Sequence, residues 1–213
     1  MEDLKGLIFG KNKFLGLILF CIAAEAINCL GVIIFTKTMH LPLFFDTIGT
    51  VVVVFFAGLV PGVLVALFFN ILWVLLTAAV SGMPVYPWDM MYALCGIAIT
   101  IVTWLFARKK DNFRISRLIT ILYLVLIALV SAFASSFMGG IIEGINRIRF
   151  ANPVYESAIL DNFVRAFLGE NMGTFASCVI SRIPITVVDR LICTFAGFGI
   201  YRLLNSKEEQ YAD

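Results

Sequence analysis

The sequence predicts an all-α integral membrane bundle of six transmembrane helices, with an amphipathic helix on its outer face. Three observations carry this expectation. The 213-residue chain is 61% hydrophobic and only 14% charged, with 20 phenylalanines and a mean hydropathy of +0.99. A soluble domain of this size cannot hide that much apolar surface. Six apolar runs reach or approach bilayer-spanning length, about 17 to 25 residues. Lysine and arginine fall unevenly on the loops between them, as expected of a membrane topology. The whole of residues 1–213 reads as one transmembrane domain.

Taken in order, Phe14–Phe35 is the first run. Ala24-Glu25-Ala26 has the small-x-small form of a cleavage site, but the apolar run is too long for a signal-peptide core, so the segment is expected to stay. Phe44–Val60 and Gly62–Val80 follow, joined by a tight inner hairpin at Pro61-Gly62. The stretch "SGMPVYPWD" (81–89) leads to Met91–Phe106, and Leu118–Phe137 is the fifth run, ended by a Gly139-Gly140 break. The sixth is Val187–Leu204, where Thr186 and Asp189 give a capping-box-like start. Residues 138–186 form a long outer region. Within it Ser157–Leu168 sets Ile159, Leu160, Phe163, Val164, Phe167 and Leu168 against Asp161, Asn162 and Arg165, with Gly169 as C-cap. That is an amphipathic helix lying at the interface or lidding the bundle.

Six spans put both termini on one side, and charge says which side. Lys5, Lys11, Lys13, Arg108, Lys109, Lys110, Arg114, Arg117, Arg202 and Lys207 fall on the terminal side, ten of the sixteen basic residues. Lys37, Arg147, Arg149 and Arg165 fall opposite, while Arg182 and Arg190 sit near membrane boundaries. The positive-inside rule makes both termini cytoplasmic, in a multi-pass protein of the cell membrane.

Several function classes are disfavoured. No basic stripe interleaved with aromatics points to nucleic acid. The five cysteines (Cys21, Cys29, Cys95, Cys178, Cys193) lie in apolar surroundings without a C-x-x-C pair, and His40 is the only histidine. No metal or other cofactor is expected. G-x-S-x-G, Walker A and H-E-x-x-H sequences are absent, so the chain is read as a non-enzyme that cannot hydrolyse ATP by itself.

What remains is a set of polar side chains that lipid would not accept unpaired. Glu25 and Asn28 share a face of the first run, and Asp46 and Thr47 open the second. Asn70 and Trp73 share a face of the third, while Trp88, Asp89 and Tyr92 stand where the outer loop enters the fourth. Glu143 follows the double glycine, and Arg182, Asp189 and Arg190 precede or open the sixth. Most fall in the outer half, and a polar pocket made by convergent helices explains them together. Plainer roles compete one by one. Asp46 would serve as an N-cap, the tryptophans and Tyr92 as an interfacial belt, and the arginines as snorkelling or paired cations. Glu25, near mid-bilayer, is hardest to explain that way.

"LPLFFDTIGT", the "GLVPGVLVALFFN" hairpin, "MGG" after the fifth run and a final "RIPITVVDRLICTFAGFGIYRLL" occur in this order from Phe14 to Leu204. Together they resemble the substrate-binding S components of energy-coupling factor (ECF) transporters. The resemblance implies a six-helix protein that captures a vitamin or similar micronutrient at its outer face. It implies docking on a transmembrane T component driven by two cytoplasmic ATPase subunits. The substrate-binding residues would be Glu25, Asn28, Asp46, Thr47, Asn70, Trp73, Trp88, Asp89, Tyr92, Glu143, Arg182 and Asp189. S components commonly carry A-x-x-x-A on the first span for docking, and this chain departs from that pattern. It offers Gly6 and Gly10 before the span, Ala23 and Ala24 within it, and Ala128 and Ala132 in the fifth run as small-residue patches. A ligand-sensing module without transport and a stand-alone membrane enzyme are the rival classes. Co-purification with an ATPase-bearing complex separates transporter from sensor, and absence of a tightly bound small molecule favours the enzyme.

Overall fold

The computed structural model describes residues 12–82, 84–85, 87–113, 115–150 and 158–211. Among these the chain is helical with no strand. Helix α1 (Lys13–Gly31) continues as a π-helical turn, Val32–Thr38. It is followed by α2 (Ile48–Ala57), α3 (Leu59–Ser81), and α4 (Ala93–Ala107) with a 3₁₀ lead-in at Pro87–Tyr92. Then come α5 (Arg117–Arg149), α6 (Ala158–Gly169) and α7 (Thr174–Tyr211). Five helical stretches are long and apolar enough to cross a membrane: Lys13–Thr38, Leu59–Val80, Pro87–Ala107, Arg117–Arg149 and Thr174–Asn205. The chain is a multi-pass membrane protein.

The second run departs most from expectation. Its helix has only 10 residues, about 15 Å at the α-helical rise, half of a hydrocarbon core. The preceding apolar residues 39–47 are not helical. The turn into α3 falls at Gly58, whose φ of +89° suits glycine. Pro61 and Gly62 lie inside α3, where proline in the first turn removes an N–H that has no helical partner anyway.

The "MGG" stretch is not a break. α5 runs through it to Arg149, because the glycines let α7 come close. A Cβ on Gly140 would lie 2.7 Å from the Val179 Cα. The sixth run likewise starts thirteen residues early, at Thr174. Thr186 is not a cap; its hydroxyl donates to the Arg182 carbonyl at 2.8 Å. Ser181 does the same to Ser177 at 2.6 Å, so these polar groups are satisfied inside the helix. α6 ends in a Schellman-type turn whose left-handed residue is Asn171 (φ 59°), not Gly169. The Met172 amide donates to Phe167 and that of Asn171 to Leu168.

One end of the bundle closes on aromatics. Phe55 packs edge-on against Phe113 and Phe198, with Tyr201 beside them. Ala128 and Ala132 are 0% and 1% exposed, inside the bundle, so they cannot present a docking patch. Ala24 is buried with its backbone against Gly49, whereas Ala23 stays exposed. Gly6, Gly10 and Ser157 lie outside the described residues.

This packing predicts opposite signs for one substitution at two helical glycines. Gly140→Ala should destabilise by about 1–3 kcal/mol, since the α7 backbone must retreat. At Gly199 a Cβ meets nothing within 4 Å, so Gly199→Ala should stabilise by roughly up to 1 kcal/mol through helix propensity. Thermal unfolding in one detergent checks both; equal shifts would contradict the close α5–α7 approach.

Candidate functional site

The short α2 creates a problem that its neighbours solve. A helix beginning in apolar surroundings leaves amide donors without partners, and so does the irregular segment before it. Asn28, three residues from the end of α1 and fully buried, accepts from the Gly49 amide at 2.7 Å. It also donates to Thr50 Oγ1 at 3.0 Å. Asp189, from the middle of α7, accepts from the Phe44 and Phe45 amides through one oxygen, each at 2.8 Å. Its other oxygen pairs with Arg190.

Arg190 then ties this region to Asp46 and Thr47. Its guanidinium meets Asp46 Oδ1 at 2.6 Å and donates to the Thr47 hydroxyl. The N-cap residue of α2 is Thr47, and its side chain makes no capping bond. Asp46 is therefore an ion-pair partner of α7. Its side chain is 26% exposed, whereas those of Asp189 and Arg190 are 0% and 3% exposed.

A second ionic group joins α4, α5, α6 and α7. Glu143, 1% exposed, accepts from Arg182 Nε at 2.9 Å and from Arg147 Nη2 at 2.6 Å. Arg182 also donates to the Tyr92 hydroxyl at 3.1 Å and lies 5.2 Å from its ring centroid. Arg147 reaches on to Asp161 of α6 at 2.7 Å, and Arg165 closes the chain on the other Asp161 oxygen. Burial pushes the Asp161 carboxyl up. The hydrogen bonds from Arg165 and Arg147, with their charges, more than reverse this and leave it below the ordinary carboxylate value.

The two groups are neighbours. Gly139 leaves room for Arg182, whose Nη1 would stand 2.9 Å from an added Cβ, with Cys95 Sγ at 3.4 Å. Cys95 is in electrostatic reach of Arg182 and also of Asp46 and Arg190. Asp46, Thr47, Asp189, Arg182, Tyr92 and Glu143 thus fall along one polar seam.

Other expected site residues sit apart from that seam. Asn28 is committed to α2. Asn70 donates to its own helix at Ala66 O, 2.9 Å, and faces Gly96 of α4. Trp73 stacks on Phe69 with Lys37 5.9 Å above its ring. Trp88 carries the Arg149 guanidinium at 4.7 Å, and Asp89 shares its 3₁₀ turn. Glu25 makes none of these contacts; both its oxygens are buried without a hydrogen bond.

The substrate-binding set expected from the sequence lacks Arg147, Asp161 and Arg190, although Arg190 stands among the polar residues grouped there. Two of them had a local signal, since Glu143/Arg147 and Asp161/Arg165 are oppositely charged pairs four apart on helices. Among the described residues no group of three His, Cys, Asp or Glu side chains is placed to hold a metal. No family model, curated protein or solved structure matches the chain.

Proposed function

We propose that this protein is the membrane-embedded substrate-binding subunit of an ECF-type transporter. In this reading it captures a vitamin-like small molecule at the outer face. A transmembrane T component and two cytoplasmic ATPase subunits then power uptake. One observation carries the proposal: a half-length α2 begins among ionisable side chains, within an otherwise apolar bundle. Discontinuous helices whose ends meet charged groups are how many membrane transporters build a substrate site.

Asp46 is the group best suited to meet a ligand. It keeps part of its carboxylate exposed while Arg190 fixes its position. Tyr92, in the same seam, adds an aromatic ring, and α6 is strapped to α5 through Arg147 and Asp161. This polar end is the outer one, with both termini cytoplasmic, by the ten-to-four imbalance of basic residues. α6 then lies on the outer face. For docking, the exposed Ala23 on α1 remains a small-residue position that a partner helix can approach.

Mass spectrometry of the chain isolated in mild detergent tests the reading. A bound small molecule, and an ATPase-bearing complex on gentler isolation, are expected. Asp46→Asn should then weaken binding about tenfold or more, the scale of a hydrogen bond to a charged group. Melting should change by no more than about 1 kcal/mol, because the pair is partly exposed and Arg190 keeps Asp189. Absence of both ligand and ATPase partner would reject the transporter role.

A further inference from the structure

Glu25 lies in the middle of α1, about 18 Å along the helix from Lys13 at 1.5 Å per residue. The residue is half-buried overall, yet both carboxylate oxygens are buried and neither has a hydrogen-bond partner. The Phe69 backbone of α3 is a polar neighbour of the carboxyl. Asn28, three residues on, turns instead to α2.

Among the described residues, none supplies a counter-charge to Glu25. On α1 itself the titratable neighbours are Cys21 and Cys29, one turn before and after, and neither brings a positive charge. The helices packed against this part of α1 are α2 and α3. Ile48–Ala57 and Leu59–Ser81 contain no Asp, Glu, His, Cys, Tyr, Lys or Arg. An ionised carboxylate enclosed there would have neither water nor a cation beside it, which is the costly arrangement in a membrane interior.

We propose that Glu25 is a proton-binding site, held as a neutral carboxylic acid in the seam between α1 and α3. A proton is the one cation that needs no space in a seam already closed around both oxygens. Releasing it demands that the seam open to water or to another cation. Proton occupancy at Glu25 is thereby linked to the separation of α1 from α3. This assignment does not depend on what the ionic seam near α7 binds.

Infrared difference spectroscopy on the full-length chain in nanodiscs, with carboxyl-¹³C glutamate, tests it. The expected result near neutral pH is a carbonyl band of a neutral glutamic acid that Glu25→Gln abolishes. The same band should be unchanged when potassium replaces sodium. Glu25→Gln should also fold and melt like the parent at that pH, since the amide mimics the neutral acid. A spectrum with no such band, or a band that survives Glu25→Gln, would overturn the proposal. So would a band that appears only when sodium is withdrawn, which would make the site a metal-cation site instead.

Discussion

Asp189→Ala is expected to lose about 3–5 kcal/mol of stability, the scale of breaking a buried ion pair by removing one partner. Two costs coincide there. Arg190 is left beneath the surface with only the partly exposed Asp46 as counter-ion. The Phe44 and Phe45 amides lose their acceptor at the same time, and each orphaned buried donor costs about 1–3 kcal/mol. The costs overlap because both act through one carboxylate, so their sum is not the expectation. Against a typical total of about 5–15 kcal/mol, such a loss removes much of the folded population. Melting in detergent should show it. Hydrogen exchange should place the first opening at residues 44–47, ahead of α5 and α7. If exchange at 44–47 stayed at the parent rate, Asp189 would not be what secures the start of α2.

The sequence made the long helices legible and hid the short one, for a physical reason. Hydropathy reports transfer from water, so it reads residues 39–47 and α2 as one apolar run. It cannot see that the first half is irregular backbone. That backbone is tolerated because Asp189, 144 residues away, accepts the Phe45 amide proton, and Asn28, 21 residues away, accepts that of Gly49 in the first turn of α2. The same blindness shortened α7. Ser177, Ser181, Thr186 and Pro184 look like loop chemistry, yet the three hydroxyls bond back to carbonyls of the preceding turn. At Gly139-Gly140 the reading took backbone freedom for a break, whereas the missing side chains serve close packing. The ionic seam was half legible. Its members announced themselves as charges where lipid should be, but Asp46 and Arg190 are partners across 144 residues. One sequence offers no means of pairing them.

The second large effect belongs to Glu143, and a double substitution decides what kind of effect it is. Glu143→Gln removes the only carboxylate that Arg182 meets among the described residues, while Arg147 retains Asp161. Arg182 is then a buried guanidinium facing a neutral amide and Tyr92. The expected cost is about 3–5 kcal/mol. Arg182→Met alone should cost less, because Glu143 keeps Arg147 four residues along its own helix. Combining the two removes the stranded charge along with its partner. Replacing a whole buried pair by apolar or neutral groups is often neutral, so the double variant should recover most of what Glu143→Gln lost. The coupling read from this cycle should be at least about 2 kcal/mol, and favourable in sign. Additive losses instead would mean that Glu143 acts mainly through Arg147 and Asp161, fastening α6 rather than neutralising α7. Melting of the three variants separates these cases. Limited proteolysis at α6 adds an independent readout, since only the fastening role predicts faster cleavage there.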